Sequence, residues 1–587
     1  MIQKMKKYTF LVFHKEYDAF LEQLRDLGVV HISEDENSIQ NDPEIQQYMA
    51  RKSEICRLLD LKAPDALIAE KAQVSKQLED IEKQINEVDI WGDFSTSAID
   101  RLSEAGYKMR YFICPRKKFE DDWGVVIAEK SGNLYFATIS GAAVDPIEFD
   151  SNIVKEVAVK TSRSELNAEA EKLKAQLDDI KQRTDEWAQA ELPKLEAELE
   201  ELEHSLDWRR VKISSEPAAY GAVRVAIGYC PVENCDNLNS MLEAQHICYQ
   251  AVDPVPGDDA PAKMVNGRFA KLFESLTGMY GWPTYGEFDP TPLLAPFFLL
   301  FFAMCMGDGG YGIVLMIFGW LLTKGKVQVD MFKGMGPIIT VLGAGTFVVG
   351  MLLGTFFGIP LYEQSWVPEA VKPFIIQGKY MNFDIQMLLA IGVGVFHICF
   401  AMIVKCLCYT MRFGWKNTIS EWSWTLLIVG TVITMSVAML LSLDTQIVTY
   451  IMIGIGVISA LGIYIFNKPG RNPLVNIGMG LLDTYNMASG LLGDVLSYLR
   501  LYALGLAGGA LGKTFNDLAC QVLGDGPSWT WTVALPGFVL IILLGHVLNI
   551  LMSCLGAFVH PLRLTFVEYF KNSGYEGKGV LYKPFKK

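Results

Sequence analysis

The sequence predicts an α-helical polytopic membrane domain of about eight transmembrane helices, preceded by a cytosolic α/β domain of two lobes joined by an antiparallel coiled coil. Three observations predict this fold class. Residues 1–290 hold 34 Lys and Arg against 53 Asp and Glu, whereas residues 291–587 hold 18 against 13. Two segments of the first half keep a heptad spacing, and seven long apolar stretches fill the second half. The contrast excludes a single globular domain, and the acidic first half argues against nucleic acid as a partner, because phosphate binding needs a basic surface.

The N-terminus and the cysteines add two exclusions. The opening residues MIQKMKKYTF are charged and hold no apolar signal region, so we expect the first half to stay in the cytosol. The 11 cysteines are scattered without the spacing of a metal site or a disulfide framework. We therefore expect reduced, packed thiols and no bound metal.

Short strand and helix signals predict two small lobes within residues 1–290. The first lobe takes residues of about 1–50 and 210–265, and the second takes about 95–160. The predicted strands are Lys7–Phe13, Val29–Ile32 and Ala222–Tyr229 around a helix at Tyr17–Leu27, then Tyr107–Cys114, Val125–Ala128 and Leu134–Ile139.

Two amphipathic helices, at about 51–91 and 162–210, form arms between the lobes. Their apolar residues recur mostly at spacings of three and four: Leu67, Val74, Leu78, Ile81, Ile85 and Val88, then Leu166, Ala170, Leu173, Leu177, Ile180, Thr184 and Trp187. This alternation keeps one apolar seam on a partner helix. We expect the two arms to pair antiparallel; two independent surface helices are the alternative.

Seven apolar stretches in the second half are each long enough for a membrane helix, which needs roughly 20 residues. They lie at about 292–323, 336–358, 385–411, 421–443, 447–467, 474–520 and 531–571. Loops 324–333, 412–420 and 468–473 and the tail from residue 571 carry twelve Lys and Arg, whereas the other loops carry only Lys372 and Lys379. The basic side is therefore expected to be cytosolic.

A cytosolic first half and a cytosolic loop 324–333 require an even number of crossings between them. Stretch 292–323 meets this requirement if it turns back at Gly307–Gly310, where glycines permit the turn and Asp308 lies near the far surface. We therefore expect eight membrane helices within residues 291–573. A basic cytosolic tail, 574–587, follows, so that both termini are cytoplasmic.

Two arginines are the costliest residues of the apolar segments. Arg500 lies in SYLRLYAL and Arg563 in HPLRL. An arginine at the bilayer centre costs on the order of 3 kcal/mol on insertion scales, and its guanidinium stays charged. The alternative for Arg563 is that it reaches the cytosolic surface near Glu568 and Lys571; the apolar residues after Arg500 disfavour this reading there.

Small and polar residues form stripes beside both arginines. The stripe of the last helix is His546, Asn549, Ser553, Gly556, His560 and Arg563, and that of the preceding helix is Gly490, Gly493, Ser497 and Arg500. Small residues admit a close helix, and polar ones face protein or water, so the stripes predict an ion path against a close-packed partner. Further candidate channel residues are Asp483, Asn486, Asp494 and Glu568. His397 and Lys405 are interpreted as structural.

Several motifs closely resemble one family. Phe269–Glu274, Pro283–Pro292 and Phe301–Gly312 resemble the start of the membrane domain of V-type ATPase subunit a, called subunit I in prokaryotic V/A-type ATPases or ATP synthases. Ser497–Ala507 resembles the penultimate helix of that family with its essential arginine, which maps to Arg500. His560–Glu568 resembles the last helix with the second arginine, which maps to Arg563. The resemblance covers essentially the whole chain.

The resemblance implies a stator subunit of a rotary motor, without ATP-binding or cofactor of its own. Two half-channels bring an ion to a carboxylate of a rotating ring. Arg500 stabilises the ionised, empty carboxylate and blocks leakage, and Arg563 assists. The first half holds the peripheral stalks. The implied partners are the proteolipid c or K ring, the peripheral-stalk subunits E and G, the central-stalk subunit d or C, the soluble V1 or A1 ATPase sector and the lipid bilayer of a prokaryotic plasma membrane.

Two positions depart from the eukaryotic pattern of that family. Ser553 stands in place of an acidic residue and Gly508 in place of a histidine, so we expect the cytosolic half-channel to use other groups, such as His546 or Asn549. A secondary ion transporter with a cytosolic coiled-coil scaffold is the alternative function, although no repeat relates the apolar stretches. A pure scaffold would need no buried cations. The sequence leaves open whether the ion is H⁺ or Na⁺, and whether ATP synthesis or hydrolysis dominates.

Overall fold

The computed structural model describes residues 2–586 apart from 35, 94–95, 120, 131, 142–148, 150–153, 158–160, 256–257, 326–333, 366, 370–371, 381, 466–472 and 524–527. The loop cations Lys326, Lys333, Lys468 and Arg471 lie outside the described residues. Contacts divide the chain into two compact units, one of Glu34–Ser215 and one of Met1–Ser33 with Glu216–Lys587. Hydropathy instead predicts a boundary at residue 291; the difference arises because a sheet built from the first 33 residues and residues 216–252 is bonded to the C-terminal tail.

Before residue 290 the described residues form both strands and helices. In chain order they are β1 (Met5–Phe13), α1 (Tyr17–Leu27), β2 (His31–Ile32), α2 (Glu36–Asn41), α3 (Pro43–Leu61), α4 (Asp65–Val88), α5 (Thr96–Glu104), β3 (Lys108–Pro115), β4 (Val125–Lys130), β5 (Asn133–Ser140), β6 (Lys155–Val157), α6 (Arg163–Ile213), β7 (Glu216–Ala218), β8 (Val223–Pro231), α7 (Cys235–Ala244), β9 (Cys248–Val252), α8 (Arg268–Leu272) and α9 (Glu274–Tyr280). Two antiparallel sheets result, with strand orders β2-β8-β1-β9 (with β7 on β8) and β4-β5-β3-β6. The strand predicted at Ala222–Tyr229 is β8, and it pairs with β1.

In the unit Glu34–Ser215, helices α3 and α4 lie along the 51-residue helix α6. Ion pairs join Arg51 to Glu198 and Glu70 to Arg183, so the helices run antiparallel. The apolar contact between α4 and α6 contains Leu78, Ile81, Ile85, Val88, Leu166, Ala170 and Leu173. Because exposed ion pairs contribute about 0–1 kcal/mol each, the apolar contact carries most of the pairing energy.

Among the described residues, eight apolar helices follow residue 290. They are α10 (Thr291–Met306), α11 (Gly309–Thr323), α12 (Gly336–Leu353), α13 (Ile385–Phe413), α14 (Ile419–Leu441), α15 (Thr445–Ile465), α16 (Pro473–Leu523) and α17 (Ser528–Arg563), with two short hairpins, β10 (Thr355–Phe356) with β11 (Ile359–Pro360) and β12 (Lys379–Tyr380) with β13 (Phe383–Asp384), after α12. Among the described residues six helices, α12 to α17, are long and apolar enough to cross a membrane, and α10 and α11 are shorter. The chain is therefore a helical membrane protein; eight crossings remain a prediction.

The predicted break in the first apolar stretch is confirmed. Helix α10 ends at Gly307, whose φ of 63° is left-handed, and Asp308 caps the start of α11. Helix α11 runs antiparallel to α12, since Gly319 faces Thr340 and Gly309 faces Met351. Helix α10 runs parallel to α12, since Leu299 faces Gly345 and the Gly307 carbonyl accepts from Thr355. The chain thus reverses between α10 and α11.

The C-terminal tail, defined as residues 574–586, runs back along the chain to the first sheet. Its Gly579 N–H donates to the Trp282 carbonyl at 2.7 Å, and Ala262 N–H donates to the Val580 carbonyl at 2.8 Å. Further along, Phe585 N–H donates to the carbonyl of Val30, next to β2, at 2.8 Å. The tail predicted as a basic extension is therefore bound to its own unit by main-chain hydrogen bonds.

Candidate functional site

Both candidate arginines lie on α16 and α17, which pack antiparallel. Toward one end of the pair, Gly508 of α16 packs closely against Ser553 of α17, so that a Cβ atom at position 508 would lie 3.0 Å from the Ser553 hydroxyl. Toward the other end, Lys571, just beyond α17, pairs with Asp494 at 3.4 Å. This register places Arg500 between the two contacts, so polar groups flank it in both directions along the helix pair.

The guanidinium of Arg500 is partly buried and incompletely bonded. Its Nη1 atom is buried and has no hydrogen-bond partner within the part of the chain that the structure describes. The charge lies within electrostatic range of Cys305 on α10 and of His560 on α17. Since a buried N–H group without an acceptor costs about 1–3 kcal/mol, this nitrogen is suited to an acceptor from outside the chain.

Arg563 ends α17 and has an exposed side chain. It is followed directly by a π-helical segment, Leu564–Tyr569, a geometry that is rare and occurs mostly at functional sites. Arg563 and Arg500 both act electrostatically on His560, whose Nδ1 atom is buried and unpartnered among the described residues. The structure therefore brings Arg500, His560 and Arg563 together.

A carboxylate-rich group of side chains lies beyond the arginines, toward the tail. This group, here called the Asp494–Glu568 cluster, consists of Asp494, Ser497, Glu568, Lys571 and Asn572. Asp494 and Glu568 are only 8% and 2% exposed. Asn572 Nδ2 donates to Asp494 Oδ2 at 2.9 Å and to the Glu568 carbonyl at 2.7 Å. The Ser497 side chain contacts the Glu568 carboxyl group, and Glu568 Oε2 has no partner in the described part of the chain.

A second polar group lies on the opposite side of the arginines, between α11, α16 and α17. This group, here called the His546 network, consists of Tyr311, Asn516, His546, Asn549 and Ser553. The Tyr311 hydroxyl lies 2.8 Å from His546 Nδ1, and His546 Nε2 lies 3.0 Å from Asn516 Oδ1. Ser553 donates to Asn549 Oδ1 at 3.3 Å. The hydrogen bonds therefore form one chain through three helices.

The hydrogen-bond donors of the His546 network determine which atom donates and which accepts in each of its hydrogen bonds. Asn549 Nδ2 donates to the Tyr311 hydroxyl at 2.8 Å and to the Gly508 carbonyl at 2.9 Å. The Tyr311 hydroxyl is then free to donate to Nδ1 of His546, which leaves the hydrogen on Nε2 for Asn516. A neutral imidazole with one donor and one acceptor nitrogen satisfies every contact in this chain.

Asp308 holds the turn at the base of the His546 network. Its side chain is fully buried and accepts hydrogen bonds from four backbone N–H groups. Two of these belong to the first turn of α11, where a negative charge also complements the helix dipole. Sequence reasoning places Asp308 near the far membrane surface; the structure shows a buried cap, and its depth in the membrane stays a prediction.

The other candidates lie apart from these groups. Asn486 is exposed on α16, eight residues before Asp494, and Asp483 precedes it on the same helix; neither belongs to either group. His397 Nδ1 lies 2.8 Å from the Tyr498 hydroxyl and its ring stacks on Tyr569 at 4.7 Å. Lys405 pairs with Glu421 at 2.9 Å. These contacts agree with the structural interpretation of His397 and Lys405.

Sequence reasoning missed three members of the two groups. Tyr311 directly follows the glycine turn, and the residues around it in the sequence do not indicate a partner 235 residues away. Asn572 lies beyond the apolar stretch, where it reads as a tail residue. A signal for Asn516 exists, because it continues the i+4 spacing of Gly508 and Gly512. Among the described residues no three His, Cys, Asp or Glu side chains could hold a metal ion together.

The comparisons with known proteins agree on one family. The V-type ATPase 116kDa subunit family matches residues 148–362 and 484–587, which contain the Asp308 turn and both arginines. The chain is 25% identical to V-type ATP synthase subunit I of Borreliella burgdorferi and 24% identical to V-type ATP synthase subunit I 1 of Treponema pallidum, with all of each chain covered. It is 30% identical to A-type ATP synthase subunit I of Methanocaldococcus jannaschii over 386 residues, which make up 61% of this chain and 54% of the relative.

Proposed function

Because the chain belongs to the V-type ATPase 116kDa subunit family, we propose that it is the membrane stator subunit of a rotary V/A-type ATPase or ATP synthase. In this role it forms two ion half-channels against a proteolipid ring and binds no ATP itself. The relatives named above as ATP synthase subunit I support this role. The unit Glu34–Ser215, with its paired long helices, supplies a cytosolic arm for peripheral stalks.

The observation that carries the proposal is the guanidinium of Arg500. A permanent cation in an apolar helix is costly, and its buried Nη1 has no acceptor among the described residues. A carboxylate on a neighbouring ring subunit would supply the acceptor and would itself be stabilised while ionised. The same positive charge repels a proton or metal cation that crosses directly between the half-channels. Arg563, exposed at the end of α17, assists from the adjacent helix.

The two polar groups supply the two half-channels. Basic loops favour a cytosolic location for the tail end of α17, which assigns the Asp494–Glu568 cluster to the cytosolic half-channel. The His546 network lies on the other side of Arg500 and belongs to the far half-channel. This assignment replaces the sequence-based expectation that His546 and Asn549 serve the cytosolic side, because the register of α16 and α17 puts Lys571 and the tail at the opposite end.

The decisive experiment removes the positive charge of Arg500 from the purified complex. Arg500→Ala is expected to abolish ATP-driven ion pumping in reconstituted vesicles while the subunits still co-purify. Arg412→Ala is the matched control, because Arg412 lies at the end of α13 with its guanidinium 5.3 Å from the Phe413 ring and belongs to neither polar group. Normal pumping by the Arg500→Ala complex would refute the proposed role of Arg500.

Co-purification separates this function from secondary transport. A rotary stator isolated in mild detergent brings a proteolipid ring and soluble ATPase subunits with it. A transporter would bind its substrate without these partners. Isolation of a monodisperse chain that carries ions without any ATPase subunit would contradict the stator role.

A further inference from the structure

A cavity of about 280 Å³ lies beside α16, at the ends of α10 and α12 that meet the short hairpins. Met304 and Gly307, at the end of α10, line it together with Leu353 of α12 and the hairpin of β10 and β11. Gln386, near the start of α13, lines another side, and its Nε2 atom donates to the Leu353 carbonyl at 3.0 Å. The cavity therefore lies where four helices of the membrane domain come together.

The cavity lies on a face of α16 that points away from Arg500. Four of the α16 residues that line it recur at spacings of four, three and four, namely Tyr502, Leu506, Gly509 and Lys513. Tyr502 follows Arg500 by two residues, and residues two apart on an α-helix do not share a face. The cavity is therefore separate from the proposed ion path between Arg500 and the ring.

Apolar side chains form most of the cavity wall. They are those of Met304, Leu353, Leu501 and Leu506. Leu506 is also 54% exposed, so the cavity opens beside it to the surroundings of the protein. Ligand sites are commonly concave and mostly apolar, with a few polar groups that fix the orientation of the ligand. In a membrane protein, the acyl chain of a lipid is an apolar group that can enter such a space.

Two opposite charges line the same cavity without meeting each other. Lys513 extends from α16, and Glu363 ends the short turn Leu361–Glu363 that follows β11. Both residues are exposed, and neither side chain forms an ion pair or a hydrogen bond with another described residue. A ligand that carries a phosphate and an ammonium group would pair with both, because lysine binds phosphate and a carboxylate accepts hydrogen bonds from an ammonium group.

The position of Lys513 along α16 agrees with a lipid headgroup. Lys513 follows Arg500 by 13 residues, which is roughly 20 Å along the helix axis, whereas half of the hydrocarbon core of a bilayer is about 15 Å thick. If Arg500 lies near the middle of the membrane, the ammonium group of Lys513 reaches the headgroups of the far leaflet, since a lysine stem extends along apolar surface. Leu501 and Leu506, in the cavity wall, lie between these two levels.

We propose that this cavity binds one phospholipid of the far leaflet, with its phosphate on Lys513, a primary ammonium group on Glu363 and an acyl chain against the apolar wall. This headgroup chemistry is that of a phosphatidylethanolamine. Phosphatidylglycerol has no ammonium group and would leave Glu363 unpaired near a negative charge, so the site favours the zwitterionic lipid. The bound lipid fills the space behind α16 and supports this helix on the side opposite to Arg500. The inference does not depend on the proposed stator function.

The test uses a phosphatidylethanolamine with a photoactivatable diazirine in its acyl chain, added to the full-length protein purified in mild detergent. Mass spectrometry of the cross-linked peptides is expected to find the label within residues 501–513. Unlabelled phosphatidylethanolamine should displace it at a concentration at least tenfold lower than phosphatidylglycerol does. Absence of label from this segment, or equal displacement by the two lipids, would overturn the inference.

A variant that fills the cavity tests whether the label marks this site. Gly509→Leu places a branched side chain in the space, where a Cβ atom at position 509 would make only an ordinary contact with Thr355 at 3.8 Å. It is expected to reduce labelling of residues 501–513 at least tenfold. Gly454→Leu on α15 is the matched control, because a Cβ atom there meets no described atom within 4 Å. Unchanged labelling in Gly509→Leu would overturn the inference.

A surface variant keeps the inference testable if Gly509→Leu does not fold. Lys513→Gln is expected to raise at least tenfold the concentration of phosphatidylethanolamine that displaces the label, because the phosphate loses its cation. Lys379→Gln is the matched control, since Lys379 is an exposed lysine of the neighbouring hairpin that does not line the cavity. Equal displacement in these two variants would overturn the inference.

Discussion

Replacing Asp308 by asparagine tests whether its buried carboxylate holds the turn between α10 and α11. Oδ1 accepts from the N–H groups of Gly310, Tyr311 and Phe357 at 2.8, 3.2 and 2.8 Å, and Oδ2 accepts from Gly358 at 2.7 Å. An amide keeps one oxygen, so three bonds lose their charge at about 1 kcal/mol each. The fourth N–H then faces an NH₂ group and is left unsatisfied, at a further cost of about 1 kcal/mol or more.

We therefore expect Asp308→Asn to lower the unfolding free energy of the membrane domain by about 4 kcal/mol. The assay is equilibrium unfolding of the purified chain in mixed micelles with rising dodecyl sulfate, followed by tryptophan fluorescence. Asp444→Asn is the control, because the side chain of this exposed loop aspartate accepts only a 3.4 Å contact from the Gln446 N–H among the described residues. A loss below about 1 kcal/mol for Asp308→Asn would refute the reasoning, since that is the cost of a single neutral bond.

Two further predictions concern the His546 network and the tail. Tyr311→Phe removes the hydroxyl that joins His546 to Asn549 and is expected to slow pumping about a hundredfold or more, as for a lost proton-transfer group. Tyr464→Phe, which removes only a 3.2 Å contact to Thr484, is the control. Equal pumping rates for the two variants would contradict the role of Tyr311. His31 is hydrogen-bonded to Lys583 of the tail, and burial lowers the pKa of this histidine below 6.5. The attachment of the tail is therefore constant above pH 6.5, and it weakens as the pH falls through the lowered pKa, because the buried imidazole must then take up a charge. Hydrogen-exchange protection of the tail amides from pH 8 to 5, corrected for intrinsic rates, should show this loss in wild type and not in His31→Gln; constant protection in both would contradict it.

The turns and helices that depend on residues close together in the sequence could be predicted from the sequence. The turn at Gly307 follows from a glycine that tolerates a left-handed conformation and an aspartate that caps the next helix. Helices α13, α14 and α15 follow the apolar stretches within a few residues, because length and hydropathy alone decide a membrane helix. The heptad positions Ile81 and Leu166 lie in one apolar cluster, since a 3–4 spacing leaves one face unburied without a partner.

The detailed grouping of the polar residues could not be predicted. Hydropathy suggests one stripe from His546 to Arg563, yet the structure buries Asn549 and exposes Arg563. The π-helical segment after Arg563 adds a residue to the turn and changes which side chains face α16, and no residue pattern announces such a segment. Glu568 consequently lies inside the protein, although its sequence position suggests a membrane surface. Contacts between distant helices, such as that of Tyr311 with His546, depend on packing that a single sequence does not encode locally.

The route of the C-terminal tail determines how force passes through this unit of the protein. Backbone bonds fasten it to Trp282 and Ala262 and then to Val30 beside the first sheet, with little loose chain after the last helix. A sideways load on that sheet is thus transmitted to the end of α17 along covalent backbone and short hydrogen bonds, which stretch little, rather than through a flexible tether. The sheet and the helix that carries Arg563 should deflect as one rigid lever. Lengthening this tail with glycines would soften the lever while leaving every residue of the ion path in place.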